Sequence, residues 1–221
     1  MIKRLFDLFL SFGALIVLAP VLIILFPFVK IDSSGPFFFR QNRMGKKGRL
    51  FRIYKIRTMF IDPLTSKGEG TVKKSGITSM DDPRVTRIGK FLRKSKIDEL
   101  PQIINVFLGQ MSFVGPRPEL PEYKDVNPEF WNTILSVRPG ITAETSLLFI
   151  NEEELIPADK TADEVYRSEI LPKKQKMDLE YVKNRSFFKD ISIILRTLFS
   201  LFKTAKNRSD PVFLQNKDMS K

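Results

Sequence analysis

Asp98 and Glu99 stand side by side in SKIDELPQIINVFLGQMSFVGPRPE, residues 95 to 119, and Arg117 follows between two prolines. The chain contains no histidine and no cysteine, which removes the commonest general base, the thiolate nucleophile and nearly every zinc or transition-metal ligand set. A reactive centre must then be built from oxygen groups together with Lys or Arg. That favours a carboxylate as nucleophile or base, with a hard cation such as Mg²⁺ where a metal is used, because Mg²⁺ takes carboxylates together with substrate phosphates. Phosphate chemistry is therefore the first candidate. The competing explanation is plain helix electrostatics, since acids in a first helical turn stabilise it by about 0.3–1 kcal/mol. The company favours chemistry: Arg93 lies about one turn upstream, and Pro116 and Pro118 fix two φ angles around Arg117, holding its guanidinium at low entropy cost.

These residues need elements to position them. DDPRVTRIGKFLRKSK, from residue 81, sets Val85, Ile88 and Leu92 at helical spacing among Arg84, Arg87, Lys90, Arg93, Lys94 and Lys96, a basic amphipathic helix. Ser95 with Asp98 matches the Ser/Thr-x-x-Asp/Glu capping pattern, so a second helix is expected to begin here and run through ELPQIINVFL, with Pro101 tolerated only in its first turn. Upstream, GPFFFRQNRMGKKGRLFRIYKIRTM (35–59) reads as a basic β-hairpin turning at 45–48. Residues 61–80, rich in Gly, Ser, Thr and Lys, read as a surface loop, a candidate lid over a substrate. Asn151 to Ser186 reads as a charged, solvent-facing helix pair broken at Pro172. FFKDISIILRTLFSLFKTAK then places Phe188, Ile191, Leu195, Leu198 and Phe202 on one stripe, which suits an interfacial helix or one packed on a core.

The N-terminus sets a different constraint. Leu8 to Val29 is an uncharged run of 22 residues, about 33 Å as one straight helix. A signal peptide fits poorly, because apolar residues continue past the weak VLAP cleavage candidate to Val29. A plain span is the stronger alternative. Against it, Pro20 near the middle should kink or break the helix, and Pro27 repeats the disturbance. Lys3 and Arg4 precede the run and Lys30, Arg40, Arg43, Lys46, Lys47 and Arg49 follow it, so the positive-inside rule draws both ends to the cytoplasmic side, which a re-entrant hairpin satisfies and a single span does not. The formal net charge of +12 fits a polyanionic partner: nucleic acid, anionic membrane lipids or phosphorylated substrates. Nucleic acid is disfavoured, since the aromatics lie in apolar runs and form no stacking platform. An inert membrane scaffold is the other rival.

YKIRTM (54–59), the stretch from Asp81 to Glu119 and RPGIT (138–142) resemble the bacterial sugar transferase family, the monotopic polyprenol-phosphate phosphoglycosyl transferases, over roughly residues 1–200. The resemblance implies transfer of a sugar 1-phosphate from a UDP-sugar to polyprenol (undecaprenyl) phosphate with release of UMP, initiating glycan assembly on the cytoplasmic face of the bacterial inner membrane. The expected fold is mainly α with a small β-hairpin. A re-entrant N-terminal membrane helix (1–34) and amphipathic interfacial helices would surround a compact cytoplasmic catalytic domain (35–206), followed by a flexible tail (207–221). Asp98 matches the family's nucleophile and Glu99 its acidic neighbour, both expected to hold Mg²⁺; Arg93 and Arg117 match phosphate-binding positions, with Lys55, Arg57 and Arg138 as further substrate-binding candidates. Arg138 reads equally well as a turn residue. A homo-oligomer is compatible with this reading. The chain departs from the family after RPGIT, where AETSLLFINEEEL replaces the common G-W-A-Q continuation, so contacts from that segment are not carried over.

Overall fold

Helix α1, Ile2–Asp32, runs unbroken through Pro20 and Pro27. Of the two outcomes expected at Pro20, a kink or a break, the break does not occur: each proline removes one backbone bond, and the turns on either side carry the helix on, which leaves a kink compatible with the continuous assignment. The computed structural model describes residues 2–60, 82–149 and 161–206, with side chains as far as Ser200. The candidate lid at 61–80 and the tail after 206 lie outside the described residues. Most of α1 is apolar and exposed, as at Phe9, Val17 and Ile23, while Asp7, Ser11, Leu18 and Val29 are buried.

Both ends of α1 are bonded to the same protein body. At the start, Lys3 Nζ donates to the Val114 carbonyl (2.8 Å) and pairs with Asp190. Arg4 donates to the Val106 and Phe107 carbonyls (2.7 and 2.9 Å), and Asp7 accepts the Phe113 N–H (3.2 Å). At the end, Asp32 accepts the Ile88 N–H (2.9 Å). Val29 packs with Phe37, Ile56 and Leu92 in one of the core clusters.

The expected hairpin is present as β1 (Phe38–Met44) and β2 (Leu50–Ile56), antiparallel from Phe38 opposite Ile56 to Met44 opposite Leu50. Its turn places Lys47 and Gly48 at φ 59° and 73°, the left-handed region that glycine enters without steric cost. One face of the hairpin carries Phe51 and Ile53 into a cluster with Val106 and Met111; period-2 alternation puts Lys55 on that same face. Helix α2, Arg87–Lys94, is capped by Thr86, whose hydroxyl accepts the Gly89 N–H. A Cβ on Gly89 would lie 2.1 Å from the Thr58 carbonyl oxygen, so α2 sits directly on the backbone that follows β2.

The second helix does not start at Ser95. Ser95 closes α2, its hydroxyl donating back to the Phe91 and Leu92 carbonyls (2.8 and 3.2 Å). Lys96 then turns the chain in the left-handed conformation (φ 58°), and Ile97–Glu99 form a 3-10 turn before α3, Gln102–Phe107. The capping pattern fails because the serine hydroxyl is already used by the preceding helix. Strand β3 (Ser112–Val114) pairs in parallel with β4 (Gly140–Thr142), a pair too short for its alternation to be read in sequence.

Helices α4 (Pro128–Ile134) and α5 (Glu144–Leu148) flank β4. Ala162–Val165 (α6) and Leu171–Lys183 (α7) are joined by a π-helical turn at Tyr166–Ile170. The expectation of a solvent-facing pair broken at Pro172 is corrected here. Pro172 follows directly on the π-helical turn, a local widening of the helix next to the residue that cannot donate, and the helical run continues through it into α7. Val165, Tyr166, Ile170 and Leu171 pack with Met44, Leu120, Trp131 and Ile134 in the largest core cluster. Helix α8, Phe187–Lys206, buries Ile193 beside Tyr181 and Val182 and leaves Phe188, Leu195, Leu198 and Phe199 exposed.

Candidate active site

The 3-10 turn presents the two acids to different surroundings. Glu99 Oε1 accepts from Lys55 Nζ and from Arg117 Nη2, each at 2.7 Å, and Arg117 Nη1 reaches Oε2 at 3.3 Å. Burial alone would push the Glu99 carboxyl up, but Arg117 and Lys55 together hold it well below the usual carboxylate range. Burial pushes Lys55 down, with Glu99 opposing. Asp98 is buried, and its Oδ1 has no hydrogen-bond partner. Burial raises the Asp98 carboxyl above its ordinary value, Lys55 opposing and Glu99 adding to the rise. One acid is thus saturated by cations, and the other keeps a buried oxygen that no protein group engages.

Three elements converge to make this geometry. Lys55 comes from β2, Glu99 from the turn between α2 and α3, and Arg117 from the proline-flanked loop after β3. Asn105, fully buried on α3, ties that helix to β2: its side chain donates to the Arg52 carbonyl (2.8 Å) and accepts the Tyr54 N–H (3.0 Å). Asn105 escapes sequence reasoning because a lone Asn in an apolar helix carries no spacing signal. Arg93, at the end of α2, donates through Nε to Thr58 Oγ1 (2.9 Å), which ties the basic helix to the YKIRTM segment.

The remaining arginine candidates are placed elsewhere. Arg57 is buried and donates to the Ser33 carbonyl (2.6 Å), Ser33 Oγ (3.2 Å), the Val29 carbonyl and the Pro36 carbonyl. It therefore caps the C-terminal end of α1, where cations complement the helix dipole, and is not grouped with the acid pair. Arg138 donates through Nε to the Gly109 carbonyl (2.7 Å), at the far end of α3 from Asp98.

Behind the Arg117 loop lies a buried polar group that the sequence did not suggest. Tyr166 donates to Glu119 Oε1 (2.7 Å), and Lys174 Nζ stands 3.7 Å from the same oxygen. On α7, Asp178 accepts from Thr145 (3.1 Å), and burial pushes its carboxyl up to about 7.

The described residues contain no group of three or more acids, histidines or cysteines able to cage a metal ion. A Mg²⁺ ion needs only one or two carboxylates when substrate phosphates supply the rest. Asp98, a carboxylate with two oxygens of which Oδ1 is unpartnered, fits that role. Glu99 does not fit in this arrangement, because Lys55 and Arg117 already occupy its oxygens.

Comparison with known proteins places this geometry in context. The bacterial sugar transferase family model matches residues 1–204. The exopolysaccharide production protein PSS of Rhizobium leguminosarum bv. phaseoli is 37% identical over 206 residues, covering 90% of this chain and 94% of that protein. The undecaprenyl-phosphate glucose phosphotransferase of Komagataeibacter xylinus is 38% identical over 202 residues, 89% of this chain and 35% of that protein. The UDP-glucose:undecaprenyl-phosphate glucose-1-phosphate transferase of Escherichia coli (strain K12) is 33% identical over 205 residues, 91% of this chain and 40% of that protein. The chain thus spans nearly the whole of the first and well under half of the other two.

Proposed function

This chain belongs to the bacterial sugar transferase family, and from that premise we propose that it transfers a sugar 1-phosphate from a UDP-sugar to polyprenol phosphate, releasing UMP and opening the assembly of a membrane-linked glycan. The observation that carries the reading is the buried Asp98 with one oxygen unengaged, next to a Glu99 clamped by Lys55 and Arg117. The names of the similar proteins support the acceptor and, for the Escherichia coli protein, a UDP-sugar donor.

The reaction divides into two displacements. Asp98 attacks the sugar-bearing phosphorus of the donor; the bond from that phosphorus to the bridging oxygen breaks, and UMP departs with the electron pair. A phosphate oxygen of the lipid then attacks the same phosphorus, and the Asp98 carboxylate is released as the polyprenol diphosphosugar forms. Arg117, held by its prolines, stabilises the charge that gathers on the phosphoryl oxygens. Glu99 orients Arg117 and Lys55; held well below the usual carboxylate range, it is a poor base. Mg²⁺, bound through Asp98 and the donor phosphates, would neutralise charge on the departing UMP. Arg93 serves as a further phosphate contact from the adjoining helix.

The test is UMP release by the full-length protein from a panel of UDP-sugars with undecaprenyl phosphate, together with sugar phosphate appearing in the lipid. One donor is expected to react well above the others. A folded protein that releases UMP from none of them overturns the reading.

The membrane arrangement follows from the same chain. We propose that residues 1–34 enter the cytoplasmic face of the bacterial inner membrane and return to it, with residues 35–206 as the catalytic part and α8 at the lipid surface. Support comes from the exposed apolar length of α1 and from the bonds that tie Lys3, Arg4 and Asp7 at one end and Asp32 at the other to one body. With no native cysteine, Ile2→Cys and Ser34→Cys are clean reporters. Both are expected to resist a membrane-impermeant thiol reagent in intact cells and to react in inverted vesicles. Protection of only one would mean that α1 spans.

A further inference from the structure

Arg43, on β1, is placed in the site by the fold and by no spacing in the sequence. Its Nη1 donates to the Pro118 carbonyl (3.2 Å) and its Nη2 to Gln41 Oε1 (2.8 Å), while its Nε is buried without a partner. The next residue repeats the grip, Met44 N–H donating to the Glu119 carbonyl at 2.9 Å. The hairpin therefore holds both sides of the site: β2 supplies Lys55 to Glu99, Glu99 binds Arg117, and β1 holds the loop on which Arg117 sits. Contacts run from Lys55 through Glu99 to Arg117, and from the Pro118 carbonyl to Arg43, with the hairpin pairing joining the two ends. Beside Asp98 and Glu99, Arg43, Lys55 and Arg117 make three cations against two acids. Glu119 also faces Arg43, but its Oε1 is engaged by Tyr166 and approached by Lys174. A buried cation in excess is costly unless an anion completes the site.

Building on the functional reading above, we propose that Arg43 is a positioning residue for the phosphate site: it fixes the 116–119 loop so that the Arg117 guanidinium meets the diphosphate of the nucleotide-sugar. Because Pro116 and Pro118 stiffen the loop, a hold on the Pro118 carbonyl sets where Arg117 points. A lysine at this position would keep the charge and lose the two-armed fork that spans Pro118 and Gln41.

The experiment uses the full chain in lipid nanodiscs, with UDP binding measured by calorimetry and steady-state UMP release measured against donor concentration. Arg43→Met is expected to weaken UDP binding and to raise the KM for the donor by about tenfold, the size of one charged-donor hydrogen bond, with kcat changing much less. Arg43→Lys should recover part of that loss. A purely structural role would instead lower kcat through loss of active protein and leave KM alone, and that result overturns the inference, as does unchanged UDP binding by Arg43→Met. Should Arg43→Met fail to fold, Arg43→Lys decides, since an unaltered KM there is also fatal. Native protein that neither binds UDP nor releases UMP would overturn the functional reading itself, whereas native activity with an indifferent Arg43 overturns this inference alone.

Discussion

Asp98→Asn gives no UMP and no phosphosugar adduct under conditions where the native protein, supplied with its UDP-sugar but no lipid acceptor, releases up to one equivalent of UMP and gains the adduct by mass spectrometry. The amide lacks the charge that makes a carboxylate a phosphorus nucleophile. Folding is not the cause of the loss. Burial raises the Asp98 carboxyl, so its ionised form lowers native stability as pH climbs above the ordinary carboxylate value, and removing the charge leaves the melting temperature at neutral pH unchanged or higher. Only the ionised acid attacks, so the native burst rate rises with pH as Asp98 loses its proton and then levels. Adduct on Asp98→Asn, or steady turnover by native protein with no adduct ever trapped, would sink the covalent route.

Glu99→Gln lowers steady turnover by about 10²–10³-fold, the size of losing one preorganised electrostatic partner, and retains a slowed UMP burst because Asp98 is intact. A neutral amide in place of the carboxylate cannot hold Lys55 and Arg117 as the native side chain does, and two cations are left in a partly buried site. The stability loss should fall near the lower end of about 3–5 kcal/mol, since the Arg117 side chain keeps 31% exposure. Glu99 is held well below its ordinary value, so its contribution is present at neutral pH and disappears as pH falls through the folded-state value. The melting-temperature gap between native protein and Glu99→Gln therefore closes in acid. Arg117→Met should cost less in the Glu99→Gln background than in the native protein, because the two share one contact. Full additivity, or turnover within tenfold of native, would show that Glu99 does not work through Arg117.

Much of the site could be read from residue types. The absence of His and Cys, the adjacent acids and the Arg between prolines point to carboxylate and phosphate chemistry by themselves. The hairpin was legible because its alternation and its GKKG turn are local features. Ser95 was misread because a capping pattern does not reveal which of two neighbouring helices takes the hydroxyl. The burial of α6 and α7 was missed because Lys174 and Asp178, charged in sequence, gain polar neighbours only when α7 meets Glu119 and α5. Arg57 is a further substrate-binding candidate in sequence, yet the Val29 and Ser33 carbonyls and the Ser33 hydroxyl at the end of α1, more than twenty residues earlier, take its donors.

What the sequence determined by itself is the reactive repertoire and the membrane-length helix, since both depend on side-chain chemistry and on apolar residues that follow one another along the chain. Only the tertiary structure decided which cations face Glu99, that Asp98 keeps an oxygen unengaged, and that Arg43 grips the Arg117 loop. Those facts depend on contacts between segments tens of residues apart. Burial and partner distance, which set the charge state of a carboxylate, come into being when β1, β2, the 97–99 turn and the 116–119 loop are brought together.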